Sequence, residues 1–182
     1  MDMNGEQRIP TNQQAVWEAL NDLDVLKACI AGCESIDKIS DSEHHVTLTA
    51  AVGPVKARFK GKMHLDDLNP PHSYHLRFEG QGGVAGFAKG DARVALSADG
   101  ADTLMTYTVH AQVGGKLAQV GSRLIDAAAR KIADDFFTAF NARVAPTATT
   151  GHAAPAPKGG VPTWVWLVGG IVVVVALYFA MR

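Results

Sequence analysis

The segment VKARFKGKMHL, residues 55–65, puts Val55, Ala57, Phe59, Gly61, Met63 and Leu65 in one set and Lys56, Arg58, Lys60, Lys62 and His64 in the other, in strict alternation. Only an extended strand holds two such sets apart, because successive strand side chains point to opposite faces. A strand with a row of cations on one face is not covered on both sides. It belongs to an antiparallel sheet with one face on the core and one in water. HHVTLTAAV, SYHLRFEG and LMTYTVHAQV repeat the period and turn Val46, Leu48, Tyr74, Leu76, Phe78, Met105, Tyr107 and Val109 inward.

The cover for that face is expected near residue 144. In GGKLAQVGSRLIDAAARKIADDFFTAFNARV, the residues Leu117, Val120, Leu124, Ala128, Ile132, Phe136 and Phe140 recur at steps of three and four. This is the stripe of one long helix of about eight turns. Before the strands, MNGEQRI reads as a short first strand. PTNQQAVWEALNDLDVLKACI reads as a helix capped by Thr11 or Asn12, then a second short helical turn. The order predicts an α+β domain over residues 1–144, a curved antiparallel sheet wrapped around a long C-terminal helix. Small residues at Ala57, Gly61, Ala111, Gly121 and Ala128 predict a space left between sheet and helix, with a filled core as the alternative.

Beyond the domain, APTATTGHAAPAPKGGVP, residues 145–162, is too poor in core-forming residues to fold alone and reads as a linker. Its reach is roughly 23 Å as a coil and 56 Å fully extended. Residues 163–182 follow, with an uncharged run from Trp164 to Met181. As a helix it would be about 27 Å long, close to the ~30 Å hydrocarbon core of a bilayer, and Trp164, Trp166 and Tyr178 stand where interfacial aromatics belong. It reads as a C-terminal transmembrane anchor. MDMNGEQRIPTNQQ has no basic stretch followed by an apolar one, so the expected location is the inner membrane, single-pass, with the bulk of the protein in the cytoplasm.

Charge and chemistry narrow the function. Setting aside Lys158 and Arg182 leaves 15 basic residues against 18 acidic ones, a charge of about −3, which argues against nucleic acid. Cys29 and Cys33 in ACIAGC lack the CxxC spacing of a metal site and read as packing residues beside a turn at Gly32. His44 and His45 point to opposite faces of one strand and cannot converge. His110 and Asp91 are the one histidine and acid that could meet, and no nucleophile motif appears. GQGGVAGFAKG is glycine-rich, but no helix opening on GK[ST] follows it, so it is read as a hairpin turn.

LKACIAGCESI, GPVKARFKGKMHL and GGKLAQVGSRLIDAAARKIADDFF together resemble the carbon monoxide dehydrogenase G-subunit (CoxG) family of the START-like (SRPBCC), helix-grip superfamily, over residues 1 to about 144. Ala31 departs from the proline frequent in that turn. The resemblance implies an accessory protein, not an enzyme, that recruits a molybdenum hydroxylase of the carbon monoxide dehydrogenase type to the membrane. It also implies that the helix-grip cavity binds a respiratory quinone, menaquinone or ubiquinone, with no metal. The expected ligand site comprises Phe59, Met63, Tyr74, Leu76, Phe78, Arg93, Met105, Tyr107, Val109, Leu117, Val120, Leu124 and Ala128. Tyr74, Tyr107, Arg93 or His110 would hydrogen-bond the head group. Lys56, Arg58, Lys60 and Lys62 are the expected docking stripe for an acidic partner. A pure adaptor with a filled core, or a helix-grip enzyme, are the competing readings.

Overall fold

A computed structural model describes residues 1–145, so the linker and the membrane anchor read at 145–162 and 163–182 lie, apart from Ala145, outside the described residues. Seven strands form one antiparallel sheet: β1 (Asp2–Ile9), β2 (Cys33–Lys38), β3 (Glu43–Val52), β4 (Val55–Asn69), β5 (Ser73–Gln81), β6 (Phe87–Asp99) and β7 (Asp102–Gly114). Their order is β1-β7-β6-β5-β4-β3-β2, so β1 closes onto β7 and every other neighbour is joined by a short turn.

Helices α1 (Gln13–Asn21) and α2 (Leu23–Cys29) connect β1 to β2. Asn12 caps α1 by accepting from the Ala15 amide, and the Asp22 side chain caps α2 by accepting from the Asp24 and Val25 amides. Each satisfies amide donors that a helix start leaves unpaired. Between them α1 presents Val16, Trp17 and Leu20 to the sheet. Cys29 is buried and Cys33 half-buried, both as free thiols, and burial pushes both thiols up from their ordinary value.

The covering helix is not continuous, contrary to the expectation of one stripe over about eight turns. A single turn, α3 (Lys116–Gln119), is followed by a break and then by α4 (Ser122–Val144). The break sits at Gly121, whose φ of +92° is a backbone conformation that favours glycine. At 1.5 Å per residue, the 23 residues of α4 still cover about 34 Å, enough to cross the sheet.

Candidate ligand cavity

Side-chain size decides what lies between sheet and helix. Because the strands are in register, their inward residues form rows running across the sheet. Near one end, Tyr74, Val94, Tyr107 and Gly5 stand side by side across β5, β6, β7 and β1. There the space is filled. Trp17 of α1 meets Tyr74 edge-on at 5.9 Å, Tyr107 stacks on Phe137 of α4 at 5.6 Å, and Phe136 stacks on Phe140 at 5.6 Å. Ile9, Val16, Leu96, Met105 and Phe140 complete this core. Burial pushes the Tyr74 phenol up to about 12 and raises that of Tyr107 as well, so both stay protonated under physiological conditions.

Six residues along β5 from Tyr74, the corresponding row reads Val46, Gly61, Gly80, Ala88 and Val113 across β3 to β7. Its middle has almost no side chain. The helix above is equally small there, with Ala128 and Ala129, and a cavity of about 400 Å³ opens between them. The walls are Leu48, Phe59, Met63, Leu76, Phe78, Leu117, Ile125 and Ile132, with Ile30 from the end of α2. Carbon lines nearly all of it. Lys62 and Glu79 border it, but both are exposed and occupy strand positions that face outward.

Of the expected ligand residues, Phe59, Met63, Leu76, Phe78, Leu117 and Ala128 meet at this cavity. Tyr74, Met105 and Tyr107 face inward but belong to the packed end. Val109 lies on the inner face without lining the space, and Val120 does not line it either. Leu124 is 47% exposed, and Ile125 and Ala129 line the cavity where Val120 and Leu124 do not. Arg93 is corrected outright: its neighbours Ala92 and Val94 are buried, so its own side chain is on the outer face.

His110 is corrected in the same way. It stands opposite Asp91 in the β6–β7 register, but its Nδ1 pairs with Asp2 Oδ1 at 2.6 Å, while Asp91 pairs with His75 at 3.3 Å. Two more outer-face histidines, His45 and His64, pair with Glu43 and Asp66. These are surface pairs that cannot reach the cavity. Lys56, Arg58, Lys60 and Lys62 are all exposed on the outer face of β4, and Arg58 pairs with Glu34.

Sequence reasoning gave no role to Ile30, Ala50, Val52, Ile125 and Ala129, which line the cavity. It set His44 aside as unable to converge with His45; His44 is the one buried histidine among the described residues and stands opposite the lining residue Met63. Burial, and then the nearby Lys38, lowers the His44 pKa and keeps the ring neutral. Among the described residues no group of three or more His, Cys, Asp or Glu is arranged to hold a metal ion.

A carbon-lined space held between one curved sheet and one helix is a feature of a fold, and comparison identifies which. The profile of the carbon monoxide dehydrogenase G-subunit (CoxG) family matches residues 5–145. The chain belongs to the CoxG family. That family is one of accessory subunits, and membership implies association with a carbon monoxide dehydrogenase. The fold is START-like. A conserved protein from Geobacillus kaustophilus is 30% identical, with a TM-score of 0.76, covering 80% of this chain and 95% of its own. A START superfamily protein from Mycobacterium smegmatis superposes with a TM-score of 0.61 at 11% identity, covering 79% of this chain and 96% of its own. The Zhui aromatase/cyclase from Streptomyces sp. R1128 does so with a TM-score of 0.55 at 13% identity, covering 79% and 93%. No curated protein matches this CoxG-family chain.

Proposed function

We propose that this CoxG-family protein is a membrane-anchored adaptor that binds a respiratory quinone, menaquinone or ubiquinone, in the cavity between sheet and helix and recruits a molybdenum hydroxylase of the carbon monoxide dehydrogenase type to the membrane. The observation that carries the reading is the carbon-lined cavity of about 400 Å³. A volume of that order suits a drug-sized molecule, so it would take a quinone ring and the first isoprenoid units. Each five-carbon unit moved from water into such a space recovers roughly 4 kcal/mol at ~0.8 kcal/mol per CH₂. Lipid offers the same gain, so transfer between bilayer and cavity costs little provided that water is avoided on the way.

The anchor and linker supply the remaining logic. A soluble hydroxylase meets a bilayer-dissolved quinone poorly, whereas a tethered binding domain raises the effective concentration of each near the other. Binding without catalysis is favoured by the lining, since acid–base chemistry needs a positioned donor and acceptor within hydrogen-bond reach. The titratable pairs of the outer face do not enter the cavity. The aromatase/cyclase among the structural neighbours shares the fold at 13% identity, which carries no activity across.

Organic extraction of the full-length protein purified from membranes, followed by mass spectrometry, tests the ligand. The expected result is quinone at a substantial fraction of one per protein, lost in Ala128→Phe. Its absence from wild-type extracts leaves the adaptor without ligand, which co-purification of the hydroxylase then tests separately.

A further inference from the structure

The two ends of the sheet differ in charge. At the cavity end, the β3–β4 turn, the β5–β6 connection and the stretch from β7 into α4 carry Lys56, Arg58, Lys60, Lys89, Lys116 and Arg123, with Glu79, Asp91 and Asp126 at their margins, so this end is net basic. Arg58 is taken by Glu34, and the other five make no ion pair among the described residues. At the opposite end, segments 37–43, 66–73 and 97–103 hold seven acids, from Asp37 to Asp102, against Lys38 alone.

Apolar side chains stand out of the same basic end. Val84, in the short 3-10 turn Gly83–Ala85 between β5 and β6, is 85% exposed; Leu124 is 47% and Phe87 37% exposed. Val52, Ala88, Val113 and Leu117, which line the cavity, sit on or beside these same connections. Apolar tips ringed by unpaired cations are the arrangement that settles at a headgroup boundary: the tips enter the acyl edge and the cations meet anionic headgroups. An acidic protein surface would satisfy the same cations, and the test separates it from lipid.

We infer that this rim docks on an anionic lipid surface, so that the cavity opens against the bilayer rather than toward water. The inference deepens the proposed function, since it rests on reading the cavity as a quinone site and residues 163–182 as an anchor. A quinone would pass from lipid to protein without crossing water, its outer tail units remaining in the bilayer.

The test uses the full chain in lipid nanodiscs, of phosphatidylcholine alone or with phosphatidylglycerol, with hydrogen exchange read at residues 82–87. Phosphatidylglycerol is expected to protect these amides, and Val84→Asp to abolish the protection without altering the melting temperature, since the side chain is exposed. Lys116→Gln with Arg123→Gln should lower it about twenty-five-fold, at about fivefold per cation removed. Equal exchange in both discs overturns the inference, as does protection that appears only when the hydroxylase is added, which would make the rim a protein interface. Quinone content is measured on the same samples. Protection without quinone supports docking and fails the ligand reading; quinone without protection does the reverse.

Discussion

The two ends of the space beneath α4 are built from the same strands and the same helix, yet one is solid and the other hollow. At the solid end β5 contributes Tyr74, β7 contributes Met105 and Tyr107, α4 contributes Phe136, Phe137 and Phe140, and α1 adds Val16, Trp17 and Leu20. At the hollow end the same strands give Gly80, Ala111 and Val113, the helix gives Ala128 and Ala129, and only Ile30 arrives from α2. Interiors are packed to crystal-like density, so a wedge of decreasing side-chain volume must end in a void unless something else fills it. Stability should therefore reside mainly in the solid half, and any ligand in the hollow one. Mutations should separate them.

The largest effect is expected from Phe140→Ala in the solid half. Phe140 is fully buried against Phe136, and its truncation should cost about 3–5 kcal/mol, read as a lower denaturant midpoint. A cost near 1 kcal/mol would mean that the solid half is not the seat of stability.

A matched pair of glycine substitutions comes next. A Cβ on Gly5 would come within 2.3 Å of the Tyr107 hydroxyl, whereas one on Gly80 finds its nearest neighbour, the Ala88 carbonyl, at 3.9 Å. Gly5→Ala should destabilise by about 1–3 kcal/mol through overpacking, while Gly80→Ala should be neutral or gain up to ~1 kcal/mol from reduced chain entropy. Thermal melts of both variants that moved in the same direction would erase the distinction.

Ala128→Phe sharpens the contrast in function. In a filled core it would cost about 1–3 kcal/mol; at the cavity it should cost less than about 1 kcal/mol and remove quinone from organic extracts. Melting and ligand content must be read together, since loss of both would merge the two halves.

The smallest effect concerns pH. The native pKa of His44 lies below its ordinary value of 6.5 because the ring is buried, so the unfolded chain binds more protons there than the folded one. Stability is then fully present above about pH 6.5 and declines as pH falls toward the lowered native value. His44→Gln should flatten that slope in denaturant titrations, and an unchanged slope would assign the acid sensitivity elsewhere.

How much of this was legible in the sequence follows from how far each property reaches along the chain. The two faces of β4 were legible because a strand's alternation is fixed by its own backbone, and the structure leaves Lys56, Arg58, Lys60 and Lys62 exposed as the pattern requires. The same alternation turns His110 outward beside inward Val109, which the reading of His110 as a head-group donor set aside. It was overlooked for Arg93 because Ala and Gly on both faces of GDARVALSA blur the period. Of the five small residues read as leaving a space, Gly61, Ala111 and Ala128 line it, and Ala57 and Gly121 do not.

Tertiary structure decided where that space begins and ends. The helix breaks at Gly121, and although Leu117, Ala128, Ile132, Phe136 and Phe140 keep the inner side read for them, Val120 and Leu124 beside the break give way to Ile125 and Ala129. Local sequence does not say that α1 lies over the Tyr74 end and leaves the Gly80 end to α4 alone. Periodicity is a property of a few successive residues, whereas filling a volume depends on which distant segments meet there. For that reason the sequence by itself settled the family, the sheet and its faces, and only the packed structure divided the interior into a core and a cavity.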